Sequence, residues 1–213
     1  MKPDIDYTLY LITDRTLMCS ATIEESVEEA VKGGCTLVQL REKEASSKEF
    51  FNTAVKVHAV TARLGVPLII NDRIDIALAV GAEGVHVGQD DMPAQHARRI
   101  IGKDKILGVS ASNLSEAMAA VSAGADYLGV GAMYATGTKS EAQVTTMEEL
   151  KRIRERVNLP IVVIGGINQQ TIPHFYGTGI DGLAVVSSIV AQPDVAKAAR
   201  VLKELFLKGG SRA

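Results

Sequence analysis

Cysteine is scarce in this chain: 213 residues hold two, Cys19 and Cys35. Neither belongs to a CxxC or metal-ligand spacing, which argues against a disulfide framework and fits a reducing compartment. Net charge is equally small. Lys and Arg total 23 against 25 Asp and Glu, a formal charge of −2, so nothing draws the whole molecule to nucleic acid or to an anionic membrane. No apolar run reaches the roughly 18–20 residues that a membrane-spanning helix needs. The first residues, Met1 to Asp6, lack the apolar core of a signal peptide. These absences set the expectation of a cytoplasmic protein with no nucleic-acid and no membrane partner; they leave the oligomeric state open. Linkers, charge blocks and low-complexity tracts are missing too, so residues 1–213 are expected to form a single domain.

What is present is alternation. Hydrophobic residues make up 46% of the chain and charged residues 23%, ordinary values for a globular protein with a sizeable core. Strand-like runs fall at Thr8–Ile12, Thr36–Leu40, Pro67–Ile70, Gly84–Val87, Ile106–Val109, Tyr127–Val130, Ile161–Ile164 and Gly182–Val186. Between them lie helix-period segments such as Ile23–Val31, Leu114–Ala123, Thr146–Val157 and Pro193–Leu207, with apolar residues recurring at three and four. Many end in glycine, the residue that caps helices in the left-handed conformation. Near-continuous apolar strands alternating with helices mean a parallel sheet covered by helices. Eight such units in about 200 residues predict an α/β fold of the closed (β/α)8 TIM-barrel type. The competing open, doubly wound sheet expects a glycine-rich turn after its first strand; Thr13-Asp14-Arg15 stands there instead.

In a barrel the chemistry gathers at the C-terminal ends of the strands. Gln39, Arg41 and Lys43 occupy alternate positions at the end of the second run and therefore share one face. Two cations on one face repel unless something negative lies between them, so a strand buried on both sides should open here into an anion site. Asn71-Asp72 and Gln89-Asp90-Asp91 end the next two runs. Asp72 and Asp91 can each be read as helix caps. Two acids on neighbouring strands beside a cationic strand can equally share Mg2+, completed by water and phosphate oxygens. His86 lies inside strand four and is expected to be a satisfied core histidine. Ser110 follows strand five, where it or Ser112 could cap a helix. The passage Gly129–Lys139 is glycine-spaced, hydroxyl-rich and ends in a cation, a composition suited to phosphate, although the lysine spacing is not that of a P-loop. Gly165-Gly166 and Ser187-Ser188 end strands seven and eight, where this fold often holds phosphate. The mouth is thus expected to hold two anion sites, one suited to a diphosphate and one to a monophosphate, which points to group transfer.

In order along the chain, Gln39–Lys43, Asn71-Asp72, Gly88–Asp91, Gly108–Ser110, Thr136–Lys139, Gly165–Ile167 and Val186-Ser187 closely resemble the thiamine phosphate synthase family. The resemblance extends from Tyr10 to Ile189 and lies in the ordered set rather than in any one motif. It implies an enzyme that joins hydroxymethylpyrimidine diphosphate to thiazole phosphate, releasing pyrophosphate and forming thiamine phosphate. It implies that Gln39, Arg41, Lys43, Asn71, Ser110 and Lys139 contact the pyrimidine diphosphate, with Arg41, Lys43, Ser110 and Lys139 serving catalysis. It further implies Mg2+ on Asp72 and Asp91, and the thiazole phosphate at Thr136, Gly137, Thr138, Gly166, Val186 and Ser187. The chain departs from the family's habit at Ala135, often proline, and at Gln143–Thr146. A thiazole-phosphate-binding tautomerase or regulatory relative without transferase activity would lack the metal acids and Lys139. An unrelated sugar-phosphate isomerase would need a positioned base, for which Asp14 is the candidate.

Overall fold

Short runs of aliphatic and β-branched residues form eight strands in the computed structural model, which describes residues 2–135 and 144–210. They are β1 (Leu9–Ile12), β2 (Leu37–Leu40), β3 (Leu68–Asn71), β4 (Gly84–Val87), β5 (Ile106–Ala111), β6 (Tyr127–Val130), β7 (Ile161–Val163) and β8 (Gly182–Val185). Each is parallel to its sequence neighbour, and β8 pairs with β1, Tyr10 beside Ala184, so the sheet closes in the order 1 to 8. The expected barrel is therefore the fold.

The helices are α1 (Ile23–Lys32), α2 (Ser47–Leu64), α3 (Ile74–Val80), α4 (Ala94–Ile101), α5 (Leu114–Ser122), α6 (Met147–Arg156), α7 (Ser187–Val190) and α8 (Val195–Lys208). Their starts follow from short polar side chains. Thr22 with Glu25 and Ser46 with Glu49 form reciprocal capping boxes on α1 and α2, each satisfying two otherwise orphaned N–H groups. Asn113, Thr146 and Asp194 cap α5, α6 and α8. Only a 3₁₀ turn, Ile172–Phe175 with Pro173 in its first turn, stands between β7 and β8. His174 lies in this turn.

Side-chain alternation divides the interior into two cores. Leu9, Leu11, Val38, Leu40, Val85, Val87, Leu107 and Leu128 point outward and pack with the helices. Tyr10, Ile12, Leu37, Ile69, Ile106, Tyr127, Val162 and Ala184 fill the barrel itself. Gln39 and His86 share that inner face and are buried, as the alternation in β2 and β4 requires.

The barrel floor carries a device repeated four times. The residue immediately before each even-numbered strand accepts a hydrogen bond from an N–H at the start of the preceding odd strand, the first residue of β1, β3 and β7 and the second of β5. Thr36 Oγ1 takes Leu9 N at 3.1 Å, Glu83 takes Leu68 N at 2.7 Å, Asp126 takes Leu107 N at 2.8 Å, and Asp181 takes Ile161 N at 2.8 Å. A buried strand N–H without an acceptor costs about 1–3 kcal/mol, so these side chains fix where each strand pair begins. Thr36→Val keeps the shape and removes the acceptor. It should destabilise the protein by about 1–2 kcal/mol in urea unfolding, with Thr36→Ser close to the parent. A Val variant as stable as the parent would show that Leu9 N finds another partner.

Candidate active site

A cavity of about 420 Å3 opens at the C-terminal end of the barrel. Every described residue expected to hold substrate or metal lines it: Gln39, Arg41, Lys43, Asn71, Asp72, Asp91, Ser110, Gly166, Val186 and Ser187; Asp14, the candidate base, does not. Thr136, Gly137, Thr138 and Lys139 lie outside the described residues, as does Gln143. Ala135 lines the cavity as well. Thr145 is anchored by Thr145 N to Ala132 O at 2.8 Å and Thr145 Oγ1 to Ser112 O at 3.0 Å.

Each of the two cations of the β2 end meets a negative group of the protein itself. Arg41 Nη1 lies 3.1 Å from Asp14 Oδ2, and Lys43 Nζ lies 2.5 Å from Asp72 Oδ2. Asp14 is therefore no free base. Its other oxygen accepts from Thr16 N, Thr16 Oγ1 and Leu17 N at 3.0, 2.7 and 3.2 Å, and the carboxylate holds the guanidinium at the mouth.

Neither Asp72 nor Asp91 is a helix cap. Arg73 and Pro93 occupy the cap positions of α3 and α4, with no side-chain cap bond. Asp91 instead accepts from Gly88 N at 2.7 Å, folding its own loop back on β4. Asp72 adopts φ 62°, a left-handed conformation that aspartate tolerates at some cost. The two carboxyl groups lie within hydrogen-bonding reach of one another. Burial raises the Asp72 acid above its ordinary value, reinforced by Asp91 and opposed by Lys43. For Asp91 burial pushes upward, but the hydrogen bonds from Asp72 and from Gly88 N outweigh it and hold the group below its ordinary value. Among the described residues no three His, Cys, Asp or Glu side chains gather as a metal-ligand group; Asp72 and Asp91 are the pair placed to share a cation.

Ser110 lies within β5 on its inward face and does not cap α5, whose cap is Asn113, while Ser112 bonds the Glu116 carboxylate. The reason is strand length: β5 continues to Ala111, two residues beyond the expected end. Ser110 Oγ meets His86 Nε2 at 2.9 Å, and His86 Nδ1 meets Tyr127 OH at 2.9 Å. Tyr127 OH meets Tyr10 OH at 2.8 Å, and Gln39 Nε2 donates to Tyr10 OH at 2.7 Å. Burial pushes His86 down to about 4, so the ring is neutral; burial likewise raises both phenols, which stay protonated. His86 is thus satisfied, as expected, and also lines the cavity. Sequence reasoning missed Tyr10 and Tyr127 because it inspected the strand ends, and these lie deeper on the inward faces of β1 and β6.

Across the cavity the lining changes character. Gly129, Gly131, Ala132, Val162, Ile164, Gly165, Gly166, Ala184 and Val186 offer apolar surface and backbone. A Cβ on Gly166, at φ 68°, would lie 2.7 Å from Tyr134 Cβ, so only glycine fits there. Gly166 O accepts from Asn168 Nδ2 and Thr171 Oγ1, and Ser188 Oγ donates to Ile167 O at 2.7 Å. These bonds lock the β7 and β8 loops together beside Ser187.

A barrel whose mouth sets charged groups on one wall and apolar surface on the other defines an enzyme class: a (β/α)8 enzyme that handles an anionic, partly apolar substrate. The particular family follows from comparison. Residues 9–189 match the thiamine monophosphate synthase family, and the chain belongs to it. A thiamine-phosphate synthase of Clostridium beijerinckii is 61% identical over 98% of this chain and 100% of its own length. Another from Clostridium botulinum is 59% identical, covering 98% of both. The thiamine phosphate pyrophosphorylase structure from Pyrococcus furiosus superposes with a TM-score of 0.89 at 38% identity, covering 97% of this chain and 98% of that one.

The acid pair generates a pH prediction. Asp72 in the folded protein holds its proton above the ordinary 3.8, so ionising it costs stability. That cost is absent below the ordinary value and complete once the pH exceeds the raised one. Metal-free Asp72→Asn should therefore show a higher thermal midpoint than the parent at pH 7, with the gap closing below about pH 4. A lower midpoint at pH 7 would mean that the Lys43 ion pair outweighs the crowding of the carboxylates.

Proposed function

We propose that this chain is a Mg2+-dependent thiamine-phosphate synthase. It joins the hydroxymethylpyrimidine group of its diphosphate to the ring nitrogen of 4-methyl-5-(2-phosphoethyl)thiazole. The observation that carries this reading is the division of one cavity into a charged wall on β2–β5 and an apolar, backbone-rich wall on β6–β8. The bond that breaks joins the pyrimidine methylene carbon to the diphosphate oxygen; the bond that forms joins that carbon to the thiazole nitrogen. Pyrophosphate departs with growing negative charge, which preorganised cations stabilise.

Arg41, steadied by Asp14, and Lys43 supply that charge from the protein, and Lys139 is assigned the same task. Asn71 and Ser110 hold the pyrimidine diphosphate from β3 and β5, with Gln39 beside them. The apolar wall excludes water that would otherwise capture the electron-poor pyrimidine-methyl carbon. The thiazole phosphate is assigned to the β7 and β8 loops, at Gly166, Val186 and Ser187, with Thr136, Gly137 and Thr138 completing the site. Asp72 and Asp91 suit Mg2+, because two crowded carboxylates need a cation between them and this ion completes its shell with water and phosphate oxygens. Bound there, it would act as a Lewis acid on the leaving diphosphate. No described helix is long and apolar enough to cross a membrane, and work in the cytoplasm accords with the two free cysteines. The regulatory-relative reading is disfavoured by the paired Asp72 and Asp91.

Incubation with both phosphorylated precursors and Mg2+ should yield equal amounts of pyrophosphate and thiamine phosphate, while omitting either precursor should yield neither. No product, where a known synthase works alongside, sinks the proposal. Asp91→Ala should cut turnover at least about a hundredfold, the scale of several kcal/mol of lost charge stabilisation, with an unchanged circular dichroism spectrum. Unaltered turnover would leave Asp91 only its loop-folding bond to Gly88.

A further inference from the structure

Four hydrogen bonds run in series across the barrel beneath the cavity, from Gln39 on β2 through Tyr10, Tyr127 and His86 to Ser110 on β5. A hydroxyl has one hydrogen, and a neutral imidazole has one donor and one acceptor nitrogen. Each link therefore fixes the next. Gln39 Nε2 donates to Tyr10 OH, and Tyr127 OH is the remaining partner of the buried Tyr10 hydroxyl, so giving its hydrogen to Tyr127 is the direction that leaves that hydrogen bonded. Tyr127 gives its own to His86 Nδ1, which leaves the imidazole hydrogen on Nε2, aimed at Ser110 Oγ. That oxygen already accepts, and its hydrogen is left for the cavity that Ser110 lines.

The backbone is shaped around this chain. A Cβ on Gly108 would collide with Tyr127 OH and His86 Nδ1, and one on Gly129 would lie 3.1 Å from His86 Cε1. Both glycines occupy inward-facing positions where larger residues would fill the barrel, and their absence of side chain makes the room the chain needs. The imidazole stands with Nδ1 towards Tyr127 and Nε2 towards Ser110.

We propose that Tyr10, Tyr127 and His86 are positioning residues: they fix the direction of the Ser110 hydroxyl, so that Ser110 presents a donor to an acceptor atom of the bound substrate. The orientation is a property of the protein alone. That the acceptor belongs to the pyrimidine diphosphate rests on the function proposed above.

The test has two arms. In the first, histidine labelled with nitrogen-15 is observed by NMR in the ligand-free parent, the His86 signals being assigned by their loss in His86→Asn. A pyridine-type Nδ1 and a pyrrole-type Nε2 are expected, and Tyr127→Phe should turn this single tautomer into a mixture. The opposite tautomer, or a mixture in the parent, overturns the proposal. In the second arm, kcat/KM is measured for Ser110→Ala, Tyr127→Phe and the double variant. Ser110→Ala should cost about tenfold in the parent and under about threefold in the Tyr127→Phe background, because the hydroxyl is no longer held in direction there. Additive losses overturn the positioning role, since Tyr127 touches Ser110 only through His86. If Tyr127→Phe does not fold, Tyr10→Phe breaks the chain one link earlier. Absence of thiamine phosphate synthesis in the parent would refute the proposed function, while the tautomer would still decide the orientation.

Discussion

Inside a closed parallel barrel there is little water to satisfy a polar group, and the rest of this molecule is arranged around that constraint. Each inward-facing N–H, hydroxyl or amide must find its partner within the protein or lose about 1–3 kcal/mol. At the floor the answer is local: Thr36, Glu83, Asp126 and Asp181 each take an N–H at the start of the strand before. At mid-height Gln39, Tyr10, Tyr127, His86 and Ser110 satisfy one another in series. At the mouth the groups are ionised, and there the solution is pairing: Asp14 with Arg41 and Asp72 with Lys43. The floor acids are paired as well, Asp126 with Arg98 and Asp181 with Arg154, but only the mouth opens into a cavity lined by such groups together with the inward-facing chain.

Pairing at the mouth is incomplete, and the imbalance gives the site its character. Asp14 is held by three further hydrogen bonds from Thr16 and Leu17, so Arg41 sits against a fixed carboxylate. Lys43 is half exposed and pairs with Asp72, yet burial, and after it Asp91, makes Asp72 hold its proton more tightly than an exposed aspartate would. Two carboxylates and one lysine leave net negative charge on that part of the wall. A group-transfer site with an anionic leaving group requires opposite charges gathered in one place.

Much of this was legible in the sequence. The strand–helix alternation gave eight units, and i, i+2 spacing correctly placed Val38 and Leu40 outward and Gln39 inward. Listing the strand ends found residues that share one cavity. Three features were not legible, each for a physical reason. Partners such as Asp14 for Arg41 are 27 residues apart and meet only through the β1–β2 pairing, so local pattern carries no sign of them. Ser110 was read as a possible cap because one inward polar residue near a strand end looks like the start of a turn; the extra length of β5 reversed its role. The floor acceptors are single acidic or hydroxyl residues before a strand, indistinguishable from ordinary loop residues until the neighbouring strand is in place.

The vertical order also separates two kinds of cost. Floor bonds stabilise, because they complete the hydrogen bonding of strand N–H groups. Groups at the mouth stabilise poorly in isolation: Asp72 is in a left-handed conformation and crowds a second acid, and Gly165 and Gly166 take positive φ values. A frame that can carry such strain must be anchored elsewhere, and the floor lies at the opposite end of every strand. β3 is held at Leu68 N by Glu83 and carries Asp72 just past its last residue, while Asp91 is held by its bond to Gly88 N. The crowding at the mouth is carried by residues whose own bonds fix them, Asp72 to Lys43 and Asp91 to Gly88 N.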